Sequence, residues 1–183
     1  QHLRNQEWHD EIPQLYVYSQ ILLSIAVNYA RYATTATPKK FWSVWQEEGN
    51  IEDAVSELIN LPLSDGDKQK LYHHGKRLYG YKIQHYFDAL EASGRLATEQ
   101  DRTLYAMLRP ARLLELMNFY IVFDGGVKKI ARYQQYFAIR ATLDRVVHRH
   151  GDTREGGLIW HTTGSGKSLT MVMLSKALAL HPS

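Results

Sequence analysis

Five residues near the end of the chain, Gly164-Ser165-Gly166-Lys167-Ser168, have types and spacing suited to holding phosphate. A polyphosphate must be gripped by several backbone N–H groups converging on one small volume. Gly164 and Gly166 let the chain curl tightly and approach phosphate oxygens with no Cβ in the way. A helix opening near Lys167 adds its positive dipole end and its free N–H groups. Lys167 supplies a mobile charge for the outer phosphates, and the Ser168 hydroxyl is placed to ligate Mg2+. The bland alternative is a Gly-rich turn ahead of a helix. The flanks favour the loop: Leu158-Ile159-Trp160 reads as a short buried strand and 168–180 as an apolar helix, the context that gives G-x-G-K-[ST] its meaning. The strict eight-residue pattern begins with Gly, where this chain has His161. The expected nucleotide-binding set is Thr163, Gly164, Ser165, Gly166, Lys167 and Ser168.

The rest of the chain must position that loop. Residues 12–35 are β-prone, with Asn28 as the turn of a hairpin, although a helix over 21–27 competes with it. A loop over 34–38 leads to the aromatic cluster Phe41, Trp42 and Trp45. Asp53 to Leu61 is a short helix, and Ser64 with Asp67 caps a long helical stretch to about Leu90. Thr98 with Asp101 caps a helix ending before Pro110, which itself suits the first turn of a helix over 111–118. Phe119 to Phe123 is aromatic and β-branched, hence extended. Gly125-Gly126 breaks the chain and reads as a domain boundary. Beyond it a helix is expected from Lys128 to His148, with Ile130, Tyr133, Phe137 and Ala141 on its apolar side. The helix over 168–180 is apolar almost all round, which predicts burial against a sheet and another element.

Composition narrows the class. The apolar fraction is 44% with 21 aromatic residues, enough for a packed core, so disordered and low-complexity classes fall away. There is no cysteine, which removes disulfide scaffolds, thiolate zinc sites and thiol nucleophiles. No apolar run approaches the ~20 residues of a membrane span. Arg4, Glu7, Asp10 and Glu11 occupy the place of a signal-peptide core. A cytoplasmic globular protein is expected, and a chain beginning with Gln1 is expected to be part of something longer. Residues 1–125 carry 13 Lys and Arg against 16 Asp and Glu, whereas residues 126–183 carry 9 against 3. A basic C-terminal third suits a phosphate-bearing partner.

The segment Gly156 to Met171, GGLIWHTTGSGKSLTM, resembles helicase motif I of the motor-and-nuclease R subunit of type I restriction enzymes. A Trp-His pair ahead of the loop is usual in that family, which accounts for His161. The resemblance continues upstream: 128–138 (KKIARYQQYFA) is similar to the segment ahead of the motor, 112–123 to the linker before it, and 12–20 to the back half of the nuclease domain. It implies a mixed α/β, mainly helical chain: the tail of a restriction-nuclease α/β fold, followed by the first strand–P-loop–helix unit of a RecA-like motor domain. The implied division is 1–50 for the end of the nuclease-like domain, 51–125 for a helical linker region, and 126–183 for the start of the motor. ATP and Mg2+ are the implied cofactors. Double-stranded DNA and the specificity and methylation subunits are the implied partners. A glutamine ahead of motif I reads the adenine edge in this class; Gln135 is the matching position, with Gln134 the second choice. An amide suits the task because it donates and accepts together.

The resemblance also implies what the chain lacks. An ATPase needs a carboxylate at the end of a second strand, but no Asp, Glu or Arg follows Ser168. Asp10-Glu11 precedes the loop and follows no apolar strand, so it is not that carboxylate. A metal-dependent nuclease of this type needs [DE]-x-K, yet no Asp or Glu here has Lys two residues later. Gln1-x-x-x-Asn5 corresponds to a late nuclease motif. The chain is therefore expected to have no catalytic residue of its own and to be inactive alone. His73-His74 and His148-x-His150 lack the acidic companions of a metal site. Two rivals stay open: a P-loop kinase of a small molecule, and a non-enzymatic helical docking module whose loop is a scaffold.

Overall fold

The computed structural model describes residues 13–150, 153–154, 156–162 and 164–181. Gln1-x-x-x-Asn5, Asp10-Glu11 and Thr163 lie outside them. A short helix α1 (Pro13–Val17) leads into a hairpin of β1 (Leu22–Ala26) and β2 (Tyr29–Ala33), turning at Val27-Asn28 with Ala26 paired to Tyr29. The β-branched and aromatic residues of 21–33 favour the pleated form here, and the competing helix does not occur. After a 3-10 turn at Lys39–Phe41 come α2 (Glu52–Ile59), α3 (Asp65–Tyr79), α4 (Lys82–Ser93), α5 (Glu99–Leu108) and α6 (Pro110–Phe119). A second hairpin, β3 (Ile121–Asp124) and β4 (Val127–Ile130), precedes α7 (Tyr133–Val147). The two-residue strands β5 (Arg149–His150) and β6 (Thr153–Arg154) pair with each other, and α8 (Lys167–Leu180) follows the loop. No helix among the described residues is long and apolar enough to cross a membrane.

Several elements form where local chemistry placed them. Thr98 and Asp101 make a reciprocal capping box at the start of α5, satisfying two helix-terminal donors. Pro110 occupies the first turn of α6, where its missing N–H costs nothing. Four expectations need correction. The stretch from Ser64 to Leu90 is two helices, because Gly80 adopts φ +65 and turns the chain. Lys128 to Ile130 form strand β4, pairing with β3 across the Gly125-Gly126 turn, so the helix begins only at Tyr133. Leu158 to Trp160 is not a strand: Leu158 and Trp160 are 85% and 86% exposed, and no described strand lies beside them to complete a ladder. Finally, α8 buries only the face bearing Thr170, Met173 and Ala177, leaving Met171, Val172 and Leu180 exposed.

One cluster holds these pieces together. Tyr32, Trp45, Met107, Leu116, Tyr120, Tyr136, Ile139 and Met173 pack in a single core. At its centre the rings of Trp45 and Tyr136 lie 5.3 Å apart and those of Tyr120 and Tyr136 4.6 Å apart, within the range of favourable tilted aromatic contacts. Into this cluster α6 inserts Arg112, whose guanidinium sits 4.6 Å from the Tyr136 ring centroid. Arg112 donates two hydrogen bonds to Glu47, at 2.8 and 3.1 Å, and Trp45 Nε1 donates a third at 2.8 Å. Burial pushes the Glu47 carboxyl up, but the hydrogen bonds from Arg112 and Trp45 and the charges of Arg112 and Arg109 outweigh it and hold it below the usual range.

Breaking a buried pair from one side strands the other charge. Arg112→Met is expected to destabilise the chain by about 3–5 kcal/mol, whereas Glu47→Gln combined with Arg112→Met recovers much of that loss. Urea unfolding followed by tryptophan fluorescence reads both. The Asp101 carboxyl is held down to about 2 from 3.8, chiefly by the Arg95 hydrogen bonds against the opposing effect of burial, with further bonds from Thr98. A depressed folded value contributes stability that is complete above the unfolded value and lost as the carboxylate is protonated. Stability is therefore expected to be level from neutral pH to about 5 and to fall as pH drops from 3.8 towards about 2. Asp101→Asn should flatten that acid limb, and an unchanged limb would remove Asp101 from the account.

Candidate nucleotide-binding site

The loop is shaped by two left-handed residues. Gly164 has φ +77 and Gly166, the N-cap of α8, has φ +86, conformations that cost an L-residue roughly 1–2 kcal/mol. Ser165 N–H bonds to Thr162 O at 3.2 Å, and Thr170 closes the first helical turn by donating from its N–H and its Oγ1 to Gly166 O. Lys167 and Ser168 are exposed at the first two positions of α8, where unsatisfied N–H groups and the dipole favour an anion. Ser165 Oγ is buried with no hydrogen-bond partner among the described residues. An orphaned hydroxyl inside a glycine-built curl, with an exposed lysine and serine at its rim, fits a polyphosphate ligand. Ser168 is the hydroxyl available there for a divalent cation. Among the described residues no cluster of three or more His, Cys, Asp or Glu could hold a metal by protein ligands alone.

The loop rests on α7 through one side chain. Gln135 is 3% exposed. Its Oε1 accepts from Arg132 N–H at 2.9 Å, closing the start of α7, while its Nε2 donates to Ser165 O at 3.3 Å and Gly166 O at 3.1 Å. Gln135 thus lies directly against the loop, and its amide is engaged by protein at both ends. Gln134, one position earlier, is exposed and lines an open groove of about 900 Å³ between α7 and 157–165, with Arg132, Tyr133, Trp160 and His161. On the opposite side of the loop, a cavity of about 360 Å³ is walled by Tyr32, Thr34, Phe41, Lys128 and Leu169.

Sequence reasoning missed how the first hairpin reaches this site. Tyr32 Oη donates to Ala131 O at 2.8 Å and Thr34 Oγ1 to Lys128 O at 2.6 Å, so β2 clamps the chain just before α7. No spacing rule joins residues almost a hundred positions apart. The Gln135 brace did carry a signal, since a glutamine at the third position of a helix is a capping-box residue.

The SWI2/SNF2 ATPase family model matches residues 134–183, the part that holds Gln135, the loop and α8. Over 171 residues the chain is 29% identical to a protein of Methanocaldococcus jannaschii, provisionally named a type I restriction enzyme endonuclease subunit; the match covers 91% of this chain and 14% of that protein. Over 181 residues it is 25% identical to the type I restriction enzyme HindI endonuclease subunit of Haemophilus influenzae, covering 94% of this chain and 14% of the relative. The chain is similar along most of its length to type I restriction endonuclease subunits. A subunit of the same description from Staphylococcus saprophyticus is 29% identical over 101 residues, 54% of this chain and 10% of the relative. The chain thus spans 14% of the length of each of the first two relatives. No solved structure matches it. The similarity to restriction subunits reaches far upstream of the loop, into regions that no ATPase loop requires.

A Cβ on Gly166 would meet Gln135 Nε2 at 2.7 Å, whereas one on Gly164 would meet nothing within 4 Å. Gly164→Ala should therefore cost only the left-handed strain of roughly 1–2 kcal/mol. Gly166→Ala should cost clearly more, and adding Gln135→Ala should relieve the excess. Thermal or urea melts of the three variants check this, and equal losses at the two glycines would disprove the close approach.

Proposed function

We propose that this chain carries the ATP-binding loop of the DNA-translocating motor in a type I restriction enzyme endonuclease subunit. In this reading 126–183 begin a RecA-like domain, 1–50 close a nuclease-like domain, and 51–125 are the helical region between. The observation that carries it is the loop itself: two left-handed glycines at the N-terminus of α8, braced by Gln135, within the segment similar to SWI2/SNF2 ATPases. Backbone N–H groups of Gly164, Ser165, Gly166, Lys167 and Ser168 would hold the phosphates, with Thr163 expected beside them from the sequence, Lys167 would neutralise the outer charge, and the Ser168 hydroxyl would ligate Mg2+. Bound Mg-ATP supplies the free energy for translocation of double-stranded DNA. The specificity and methylation subunits are the protein partners of the intact assembly.

The two glutamines divide the labour. Gln135 is committed to Arg132 N–H and the loop carbonyls, so it positions the phosphate cradle. The exposed Gln134 has the position to offer an amide to the base edge in the adjoining groove.

Binding of a fluorescent ATP analogue to this chain is the direct test. Lys167→Ala should weaken binding roughly tenfold to a hundredfold, the value of one charge-assisted hydrogen bond, with no change in melting temperature, because the side chain is exposed. Gln135→Ala should weaken ATP and GTP alike, whereas Gln134→Ala should cut the preference for ATP by roughly 1–3 kcal/mol. The chain alone should neither hydrolyse ATP nor cut DNA. In the intact protein duplex DNA should stimulate ATP turnover, which a small-molecule kinase or an inert scaffold would not show.

A further inference from the structure

Between α6, α7 and the end of α8 lies a cavity of about 270 Å³ that none of the chemistry above uses. Phe119, Leu143 and Ala177 give it an apolar lining, and Glu115, Tyr120, Arg140, Asp144 and His181 supply the polar groups. It shares no residue with the phosphate loop or with the two hollows beside that loop.

Tyr120 leaves this cavity chemically unfinished. The residue is 1% exposed. Its N–H donates to Leu116 O at 3.1 Å, and its carbonyl accepts from Ala131 N–H at 2.9 Å. The hydroxyl alone has no partner among the described residues, a costly state that most buried hydroxyls avoid. Burial first, then the charge of Glu115, push its ionisation up, so the hydroxyl end of the ring lies near a carboxylate of the same lining. Glu115 is itself only half engaged. Its Oε2 accepts from Tyr136 Oη at 2.5 Å, but Oε1 has only Arg140 Nε at 3.8 Å, too far for a hydrogen bond. Arg140 turns instead to Tyr136 Oη, to which Nη1 donates at 3.2 Å. Asp144, one helical turn beyond Arg140, is exposed at the rim. Two carboxylates against one guanidinium leave the lining with a formal charge of −1, counting His181 as neutral.

We propose that this cavity receives a primary ammonium group carried on an unbranched alkyl stem. An ammonium has three donors and no acceptor, and the lining offers it Glu115 Oε1, the Asp144 carboxylate and Tyr120 Oη. The stem lies along Phe119, Leu143 and Ala177, as the methylenes of a lysine cover apolar surface while the charged head stays with polar groups. A carboxylate ligand fits less well, because it would face two like charges. A metal ion fits less well too, since among the described residues no group of three or more His, Cys, Asp or Glu could hold one. The same chemistry has two sources, a free alkylamine and the lysine side chain of a protein partner. The inference does not rest on the proposed function of the loop.

The test titrates n-pentylammonium into the 183-residue chain and follows backbone amide shifts by NMR. Saturable shifts are expected at 115–120, 140–144 and 177–181. n-Pentanol and hexanoate, which keep the stem but lose or invert the charge, should bind at least roughly tenfold more weakly, the value of a charge-assisted hydrogen bond. Shortening the stem towards methylammonium should cost roughly fourfold for each buried methylene lost. Tyr120→Phe should weaken binding roughly tenfold, while the melting temperature of the free chain does not fall, because the hydroxyl removed has no partner there. Asp144→Asn should weaken binding and Glu57→Gln, exposed on α2 away from the cavity, should leave it unchanged. Nα-acetyl-lysine methylamide separates the sources: binding as tight as that of pentylammonium assigns the cavity to a partner's lysine, and its failure to bind assigns it to a free alkylamine. Absence of saturable shifts at these segments overturns the proposal and leaves the hydroxyl to solvent. Equal binding of pentanol, or unchanged affinity in both Tyr120→Phe and Asp144→Asn, overturns it as well. A melting temperature lowered by Tyr120→Phe gives the hydroxyl a structural role and has the same effect. Loss of ATP-analogue binding in Lys167→Ala concerns the loop alone, so the two readings fail separately.

Discussion

The buried contact between Arg112 and Glu47, set among the rings of Trp45 and Tyr136, is the constraint on which the remaining architecture depends. Taking a guanidinium and a carboxylate out of water is costly, and the cost is offset only by close geometry and further hydrogen bonds. Here the pair is bidentate, Trp45 Nε1 gives the carboxylate a third donor, and the ring face of Tyr136 receives the cation. These contacts join the segment after the first hairpin, helix α6 and helix α7 at one point. Tyr136 is completely buried there and donates its hydroxyl to Glu115 at 2.5 Å. Burial first, and that acceptor second, push its own ionisation up to about 12, so it remains a neutral donor at physiological pH.

Gln135 is the neighbour of Tyr136, and this adjacency carries the core's rigidity to the loop. With Tyr136 locked, the α7 backbone has one orientation, and the Gln135 side chain meets the carbonyls of Ser165 and Gly166. A Cβ at Gly166 would displace the Gln135 amide from its bonds to the loop carbonyls. Glycine at that position therefore answers two demands, a left-handed φ and room for the amide beneath it. The first hairpin adds a second restraint through Tyr32 and Thr34, which grip the backbone at Ala131 and Lys128. That hairpin thus holds the start of α7, which in turn bears Gln135 against the loop.

Local signals in the sequence were readable wherever a short-range interaction decides the structure. The Thr98–Asp101 capping box, Pro110 opening α6, the Asn28 turn and the glycines at 164 and 166 all act over a few residues. Signals that need a partner were misleading. Leu158-Ile159-Trp160 has the composition of a buried strand, but a strand exists only as one side of a ladder, and no described strand offers the other side. The same absence leaves Met171, Val172 and Leu180 of α8 exposed. Lys128 to Ile130 continue the apolar spacing of α7 on paper, yet pairing with β3 draws them into a strand.

The amino-acid sequence by itself determined the shape of the glycine loop before α8, because two glycines within five consecutive residues have intrinsic freedom to adopt a left-handed φ. It also determined the mainly helical character of the chain and its likeness to restriction subunits. Only the tertiary structure decided which glutamine supports the loop and which stands free, since Gln134 and Gln135 differ in the direction each faces from α7, and that direction is set by the burial of Tyr136. Only the tertiary structure brought Glu47 to Arg112 and Tyr32 to Ala131, pairs separated by 65 and 99 residues. Contacts at such separations follow from the best joint packing of the whole chain, which no local run of residues encodes.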